Sequence, residues 1–98
     1  MKIGGIYQSI FDDIIYIIVD MNKEFVFYYY LTIFVSNVSN SFINLTIENN
    51  NNNNNQFAFD KVDSLKDNFD GYLGNLSNVN LKQLQTNFKN TDIYNYLY

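Results

Sequence analysis

The sequence contains no cysteine, histidine, arginine, proline or tryptophan. Without cysteine the chain has neither a disulfide framework nor thiolate chemistry. Without histidine it lacks the side chain that most often serves as a base near neutral pH and as a metal ligand. Without arginine it lacks a planar, bidentate group for binding phosphate or carboxylate. These absences predict a protein that is not an enzyme and holds no metal or cofactor.

The length and charge narrow the class further. The chain has 98 residues and a mass of 11.6 kDa, which predicts one domain over residues 1–98 with a small core. Ten acidic residues against six lysines give a net charge of −4. Nucleic-acid binding depends on neutralising phosphates, so this balance predicts no direct contact with nucleic acid.

An asparagine tract divides the chain. Residues 49–55 are all asparagine and Gln56 follows them. Asparagine side chains compete for backbone hydrogen bonds and favour turns, so the tract is interpreted as a loop, with a self-assembling polar zipper as the alternative. The loop, residues 49–56, separates an apolar, strand-rich half (1–48) from a more polar, helical half (57–98).

Three strands are predicted in the first half. Residues 14–19 and 25–35 are rich in β-branched and aromatic side chains, and a short polar segment separates them. This pattern is typical of a β-hairpin. In residues 42–48, apolar and polar side chains alternate, which predicts a third strand with one solvated face.

Two short helices are predicted in the second half. Apolar residues recur at helical spacing from Phe59 to Phe69, with Gly71 as a C-terminal cap, and again from Leu81 to Phe88. Asn78 and Asn80 are the candidate N-caps of the second helix. Residues 91–98 fit either a helix or a last strand. The predicted fold class is therefore α+β, a small antiparallel sheet (a hairpin plus a third strand) with two short amphipathic helices.

The acidic residues do not form a recognisable catalytic or calcium site. Asp60, Asp63, Asp67 and Asp70 have the spacing of the solvated face of a helix, and an EF-hand loop counted back from Gly71 would begin at a lysine. The adjacent pair at residues 12 and 13 would point to opposite faces of a strand, so its carboxylates would not converge.

A membrane-spanning helix is an alternative for residues 25–47, which carry no charge and are long enough to cross a bilayer. Six serine and asparagine residues lie in the second half of this segment, and only residues 25–35 are continuously apolar. This shorter length fits a buried strand better, although proximity to a membrane remains open.

The hairpin is predicted to bind other protein subunits. Both faces of residues 14–19 and 25–35 carry apolar or aromatic side chains, and two short helices would cover only one face. An uncovered apolar face marks an interaction site, and tyrosine and phenylalanine are favoured there. The alternative is that the C-terminal tail folds back over this face. The predicted contact residues are Phe25, Phe27, Tyr28, Tyr29, Tyr30 and Phe34, with Tyr94, Tyr96 and Tyr98 behind them.

The overall composition resembles that of a known group of proteins. Phe, Ile, Asn, Lys and Tyr supply 53 of the 98 residues, and their codons are rich in A and T. With the asparagine tract and the run Tyr28–Tyr30, the chain resembles the short, lineage-specific proteins encoded in ciliate mitochondrial genomes. This resemblance implies a mitochondrial location, at the inner membrane or on the matrix side, and a structural or accessory role. A respiratory-chain complex is the first expectation, with NADH dehydrogenase foremost, and a peripheral mitochondrial ribosomal protein or a membrane-embedded small subunit are the alternatives.

Overall fold

A five-stranded antiparallel sheet forms the centre of the molecule in the computed structural model, which describes residues 1–9, 13–32, 38–49, 56–66 and 69–97. The strand order is β4-β3-β2-β1-β5, and every pairing is antiparallel. The predicted α+β class is confirmed. The strands are β1 (Gly5–Ser9), β2 (Ile14–Met21), β3 (Phe25–Thr32), β4 (Phe57–Lys61) and β5 (Phe69–Asn75), and the helices are α1 (Asn40–Asn49), α2 (Val62–Leu65), α3 (Asn78–Lys89) and α4 (Asp92–Leu97).

The predicted hairpin is confirmed as β2 and β3. Its turn is closed by Asn22, whose backbone N–H donates to the Phe25 carbonyl at 2.9 Å. The Asn22 side-chain oxygen accepts from the N–H groups of Glu24 and Phe25 at 2.9 and 2.8 Å. Asparagine thus holds the turn through its side chain, as it commonly does.

The segment predicted as a third strand is instead helix α1. Ser39 caps this helix, because its hydroxyl accepts from the Phe42 N–H at 3.1 Å and its carbonyl from the Ile43 N–H at 3.1 Å. Ile43 and Ile47, four residues apart, are buried, whereas Leu45 between them is 56% exposed. The alternation of apolar residues was therefore misleading, and the helical period decides which side chains face the sheet.

The first predicted helix, from residue 59 to residue 69, is also wrong. Phe57 to Lys61 pair with β3 as strand β4, and only Val62–Leu65 form a helical turn. Gly71 lies inside β5 and caps no helix. The second half of the chain therefore contributes both edge strands of the sheet in addition to helices.

The second predicted helix is confirmed as α3, with a different cap. Ser77 precedes the helix, and its hydroxyl accepts from the Asn80 N–H at 3.2 Å, so neither Asn78 nor Asn80 is the N-cap. The ambiguous tail forms helix α4 after Thr91, whose hydroxyl accepts from the Tyr94 N–H at 3.4 Å.

The larger core lies between the sheet and helices α1 and α3. Strands β2 and β3 contribute one face of side chains to it, and the helices contribute Ile43, Ile47, Leu84 and Phe88. A short strand, β1, joins the hairpin to β5. It follows Gly4, which has a φ of 86°, and the Gly4 N–H donates to the Ile18 carbonyl at 2.7 Å.

The membrane-helix alternative for residues 25–47 is wrong, because its first eight residues form strand β3 and its last eight belong to α1. Among the described residues, no helix has the length and apolar character needed to cross a bilayer. The predicted asparagine loop covers residues 49–56: Asn49 is the last residue of helix α1, and residues 50–55 lie outside the described residues, as do Phe34, Asp12, Asp67 and Tyr98.

Candidate functional site

Three of the predicted contact residues are buried within the chain itself. Phe27, Tyr28 and Tyr29 are all less than a tenth exposed, so the prediction that they form a contact surface is wrong. Phe25 and Tyr30 are half-buried. In the tail, Tyr94 packs edge-on against Phe88 with ring centroids 5.6 Å apart, and Tyr96 is exposed.

The second face of the sheet is covered by tyrosine side chains. Tyr72, Tyr7, Tyr16 and Tyr30 occupy paired positions on the neighbouring strands β5, β1, β2 and β3. The Tyr7 and Tyr72 rings lie 5.4 Å apart, and Tyr28 joins the row at 4.8 Å from Tyr16. These wide rings shield the sheet while their hydroxyls can reach water.

Helix α2 completes the cover of this face. Its Leu65 is buried in a cluster with Ile18 and Val26, both of which are fully buried. The expectation that one apolar face of the hairpin is left bare is therefore wrong, and a binding surface must be sought elsewhere on the molecule.

One pair of groups links the tyrosine-covered face to β4. The Tyr28 hydroxyl donates to an Asp60 carboxylate oxygen at 2.6 Å. Burial raises the pKa of Tyr28 strongly, and the Asp60 carboxylate raises it further because it accepts a hydrogen bond from the neutral phenol and would repel a phenolate. The Asp60 side chain is thus tied back onto the sheet.

The outer edge of β4 presents backbone groups with no strand beside them in the part of the chain that the structure describes. β4 is the first strand in the order, and it pairs with β3 alone. The Val62 N–H donates to the Glu24 carbonyl at 2.9 Å, one position beyond the Phe25–Lys61 pair. Bonded and non-bonded pairs alternate along an antiparallel ladder. The N–H and C=O groups of Phe57 and Phe59 and the N–H of Lys61 therefore point outward, whereas the Lys61 carbonyl, at the N-cap of α2, accepts the first bond of that helix.

The opposite edge, β5, is less suited to pairing. Its register with β1 is interrupted twice, and it contains Gly71 and Gly74, the second with a φ of 113°. Irregularities of this kind bend a strand and discourage further strands from adding. The five residues of β4, by contrast, keep an unbroken register with β3.

Aromatic side chains flank the β4 edge on the helix-covered side of the sheet. Phe59 is 39% exposed and packs edge-on against Phe25, with ring centroids 5.6 Å apart. Phe27, directly opposite Phe59 in the register, supports it from beneath at 6.1 Å. Phe25 was predicted as a contact residue, whereas Phe59 was assigned to a helix. The alternation of Phe57 and Phe59 was the available signal for this strand.

A small groove is the second candidate. Its volume is about 220 Å³. A register shift between Ile18 and Asp20 brings two consecutive residues of β2 towards it, and Gln85 of α3 donates to the Val19 carbonyl at 3.0 Å. The residues that line the groove are Val19, Asp20, Gln85, Phe88, Lys89 and Tyr94.

The groove contains a single carboxylate, that of Asp20, so it does not offer the paired acids of an acid–base site. Among the described residues, no group of three or more acidic side chains is arranged to hold a metal ion. The β4 edge is therefore the site with the clearest chemistry, namely main-chain hydrogen bonding to an extended polypeptide.

The comparisons with known proteins add no relative: no family model, curated protein or solved structure matches this chain.

Proposed function

We propose that the chain is a non-catalytic structural subunit of a larger protein assembly, and that it binds a neighbouring polypeptide at the outer edge of β4. The observation that carries this proposal is the set of backbone groups that point outward from this edge, namely the N–H and C=O of Phe57 and Phe59 and the N–H of Lys61. An added strand satisfies such groups, and the half-exposed phenylalanines beside them supply apolar contact.

The side chains of β4 permit this addition. Proteins that block a free edge often place charges where an incoming strand would lie. Asp60 is drawn onto the sheet by its bond with Tyr28, and its backbone groups bond inward to β3. Phe59, at the middle of the strand, presents an aromatic ring and no charge.

The compositional resemblance supports a mitochondrial assembly, associated with the inner membrane or the matrix. The net charge of −4 favours a respiratory-chain complex over the ribosome, since a ribosomal position beside RNA would require phosphate neutralisation. In either assembly the chain would act by binding neighbouring subunits and would catalyse no reaction.

The test is the size of the particle that contains the chain. A tagged copy is expressed in the source organism, and a native extract is separated by size. The chain is expected in a particle far larger than twice its own 11.6 kDa, and the substitution Phe59→Lys is expected to release it. Migration of the unaltered chain as a free monomer or dimer would contradict the proposal.

The matched control is Phe42→Lys. Phe42 is 44% exposed, close to the 39% of Phe59, but lies on α1 and not on the sheet edge. The control substitution adds the same charge to a similarly exposed ring and is expected to leave the chain in the particle. Equal release by both substitutions would mean that the edge is not the binding surface.

A further inference from the structure

We infer that the polypeptide bound at the β4 edge is a second copy of this chain, so that two sheets join across a two-fold axis at Phe59 into one continuous ten-stranded sheet. This inference rests on the proposed function of the β4 edge and names its occupant. It follows from the positions of the outward backbone groups and of the charges on β4.

The outward groups are self-complementary. They belong to residues 57, 59 and 61, which are spaced evenly about Phe59. In an antiparallel pairing of two copies centred on Phe59, Phe57 of one copy faces Lys61 of the other, and Phe59 faces its own counterpart. The two Phe59 residues then exchange both backbone bonds, each Lys61 N–H donates to the Phe57 carbonyl of the other copy, and all five residues of the strand lie opposite a partner.

The two neighbouring registers, centred on Asp60 or on Ala58, are less favourable. Moving the centre to Asp60 would place two carboxylates directly opposite each other, which is destabilising in a sheet. Moving it to Ala58 would leave Lys61 beyond the end of the partner's β4 and would pair three residues of each strand instead of five. The register centred on Phe59 opposes Asp60 only to Ala58.

The register centred on Phe59 also brings the exposed phenylalanine rings of the two copies together. Paired residues in an antiparallel ladder share a face, so Phe59 of each copy lies on the helix-covered side next to its counterpart. Phe27 and Phe25 stand behind each Phe59 at centroid distances of 6.1 and 5.6 Å. The joined edge would thus enclose a continuous row of phenylalanine rings, and cross-strand aromatic pairs stabilise sheets.

Disulfide trapping tests this register cleanly, because the chain has no native cysteine. Ala58 and Asp60 of facing copies form a non-hydrogen-bonded pair, in which Cα atoms lie about 4.5 Å apart and a disulfide can close. Ala58→Cys and Asp60→Cys chains carrying tags of different mass are purified, mixed and oxidised. The expected product is a cross-link between the two variants.

Each variant oxidised alone is the first control. Two copies of residue 58, or two of residue 60, would be diagonal neighbours about 7–8 Å apart, so each variant alone is expected to cross-link at least several-fold more slowly. Gly71→Cys on the opposite edge is the second control, because an added Cβ there meets nothing within 4 Å. It is expected to give no specific dimer.

Sedimentation of the purified, unaltered chain is the second measurement. Its mass is expected to rise with concentration from 11.6 kDa towards twice that value. Phe59→Lys, which places two ammonium groups at the two-fold axis, is expected to raise the dissociation constant at least tenfold, whereas Phe42→Lys leaves it unchanged. Folding of both variants is checked by circular dichroism.

The inference is overturned if the unaltered chain stays monomeric at millimolar concentration, or if single variants cross-link as fast as the mixture. A monomeric purified chain that still loses its large particle through Phe59→Lys would leave the proposed function standing and refute only the second copy as occupant. A dimer that joins no larger particle would refute the proposed membership of a larger assembly and leave the second copy as the occupant of the β4 edge.

Discussion

The Tyr28 hydroxyl donates to the Asp60 carboxylate at 2.6 Å, joining β3 to the edge strand β4 through a side-chain bond that parallels the backbone ladder. Tyr28 is buried, and its partner is on the strand whose outer edge is open. Loss of this bond is therefore expected both to destabilise the tyrosine-covered face and to loosen β4, the strand that carries the proposed binding edge.

Stability is expected to fall as the pH rises above about 10. Burial, and for Tyr28 also the Asp60 carboxylate, raises the pKa values of Tyr28 and Tyr29 above their ordinary value of 10.0. In the unfolded chain these phenols lose protons near pH 10, whereas the folded chain retains them. The contribution of these two tyrosines to the free energy of unfolding is therefore constant below pH 10. Above pH 10 it falls by up to about 1.4 kcal/mol per pH unit for each tyrosine.

Urea unfolding between about pH 8 and 11 measures this effect. Tyr28→Phe is expected to reduce the slope above pH 10, and to lower the free energy of unfolding at neutral pH by about 1.5–3 kcal/mol because a hydrogen bond to a charged group is lost. Tyr30→Phe is the control, since the Tyr30 hydroxyl makes no hydrogen bond within the described residues. An unchanged slope in Tyr28→Phe would contradict the assignment.

Helix α1 can be distinguished from the strand that its alternation suggests by two substitutions. Ile47 is buried against the sheet, and Leu45 is more than half exposed. Ile47→Ala is expected to lower the free energy of unfolding by about 2–5 kcal/mol, and Leu45→Ala by less than about 0.5 kcal/mol. Equal losses in chemical denaturation would indicate that both side chains face the core, as in a strand with one buried face.

The amide of Asn80 holds α1 and α3 together. This fully buried side chain donates to the carbonyl and the side-chain oxygen of Asn44, both at 3.1 Å. Asn80→Asp removes the donors and buries a carboxylate, so a loss of at least about 2 kcal/mol is expected in thermal or urea unfolding.

Asn78→Asp is its matched control, because Asn78 is exposed in the same helical turn. An added negative charge near a helix N-terminus is neutral to slightly stabilising. If the two aspartate variants proved equally stable, the buried asparagine contact between the helices would be refuted.

The two glycines of β5 are expected to respond differently to alanine. Gly74 has a φ of 113°, and an added Cβ would collide with the Asn40 side chain, so Gly74→Ala should destabilise the fold by about 1–3 kcal/mol. Gly71 has open space around it, so Gly71→Ala is expected to be neutral or to stabilise by less than about 1 kcal/mol. Thermal denaturation of both variants decides the matter, and a stable Gly74→Ala variant would contradict the geometry at that position.

The hairpin and α3 were predictable because the local sequence of each fits only one type of secondary structure. β2 and β3 are continuous β-branched and aromatic runs around an asparagine turn, and α3 has a clear helical stripe. For α1, the sequence supports both periods, and the local capping by Ser39 with burial of Ile43 and Ile47 against the sheet decides between them.

The edge strands were not predictable from local pattern. β4 and β5 are only five and seven residues long, one ending in charges and the other interrupted by glycines, and both depend on partners distant in sequence. The candidate site shares this limit. Phe25 was identified from its hairpin, but the significance of Phe59 depends on the strand order, which places β4 at an edge.

Hydrogen exchange at two adjacent amides tests the central claim most directly. The Phe59 N–H points out from the β4 edge, whereas the Asp60 N–H points towards β3. With rising protein concentration, we expect the Phe59 amide to change from rapid to slow exchange while the Asp60 amide stays protected throughout. A Phe59 amide that exchanges rapidly at every concentration and also within the native particle would show that nothing binds the edge, and would contradict the account.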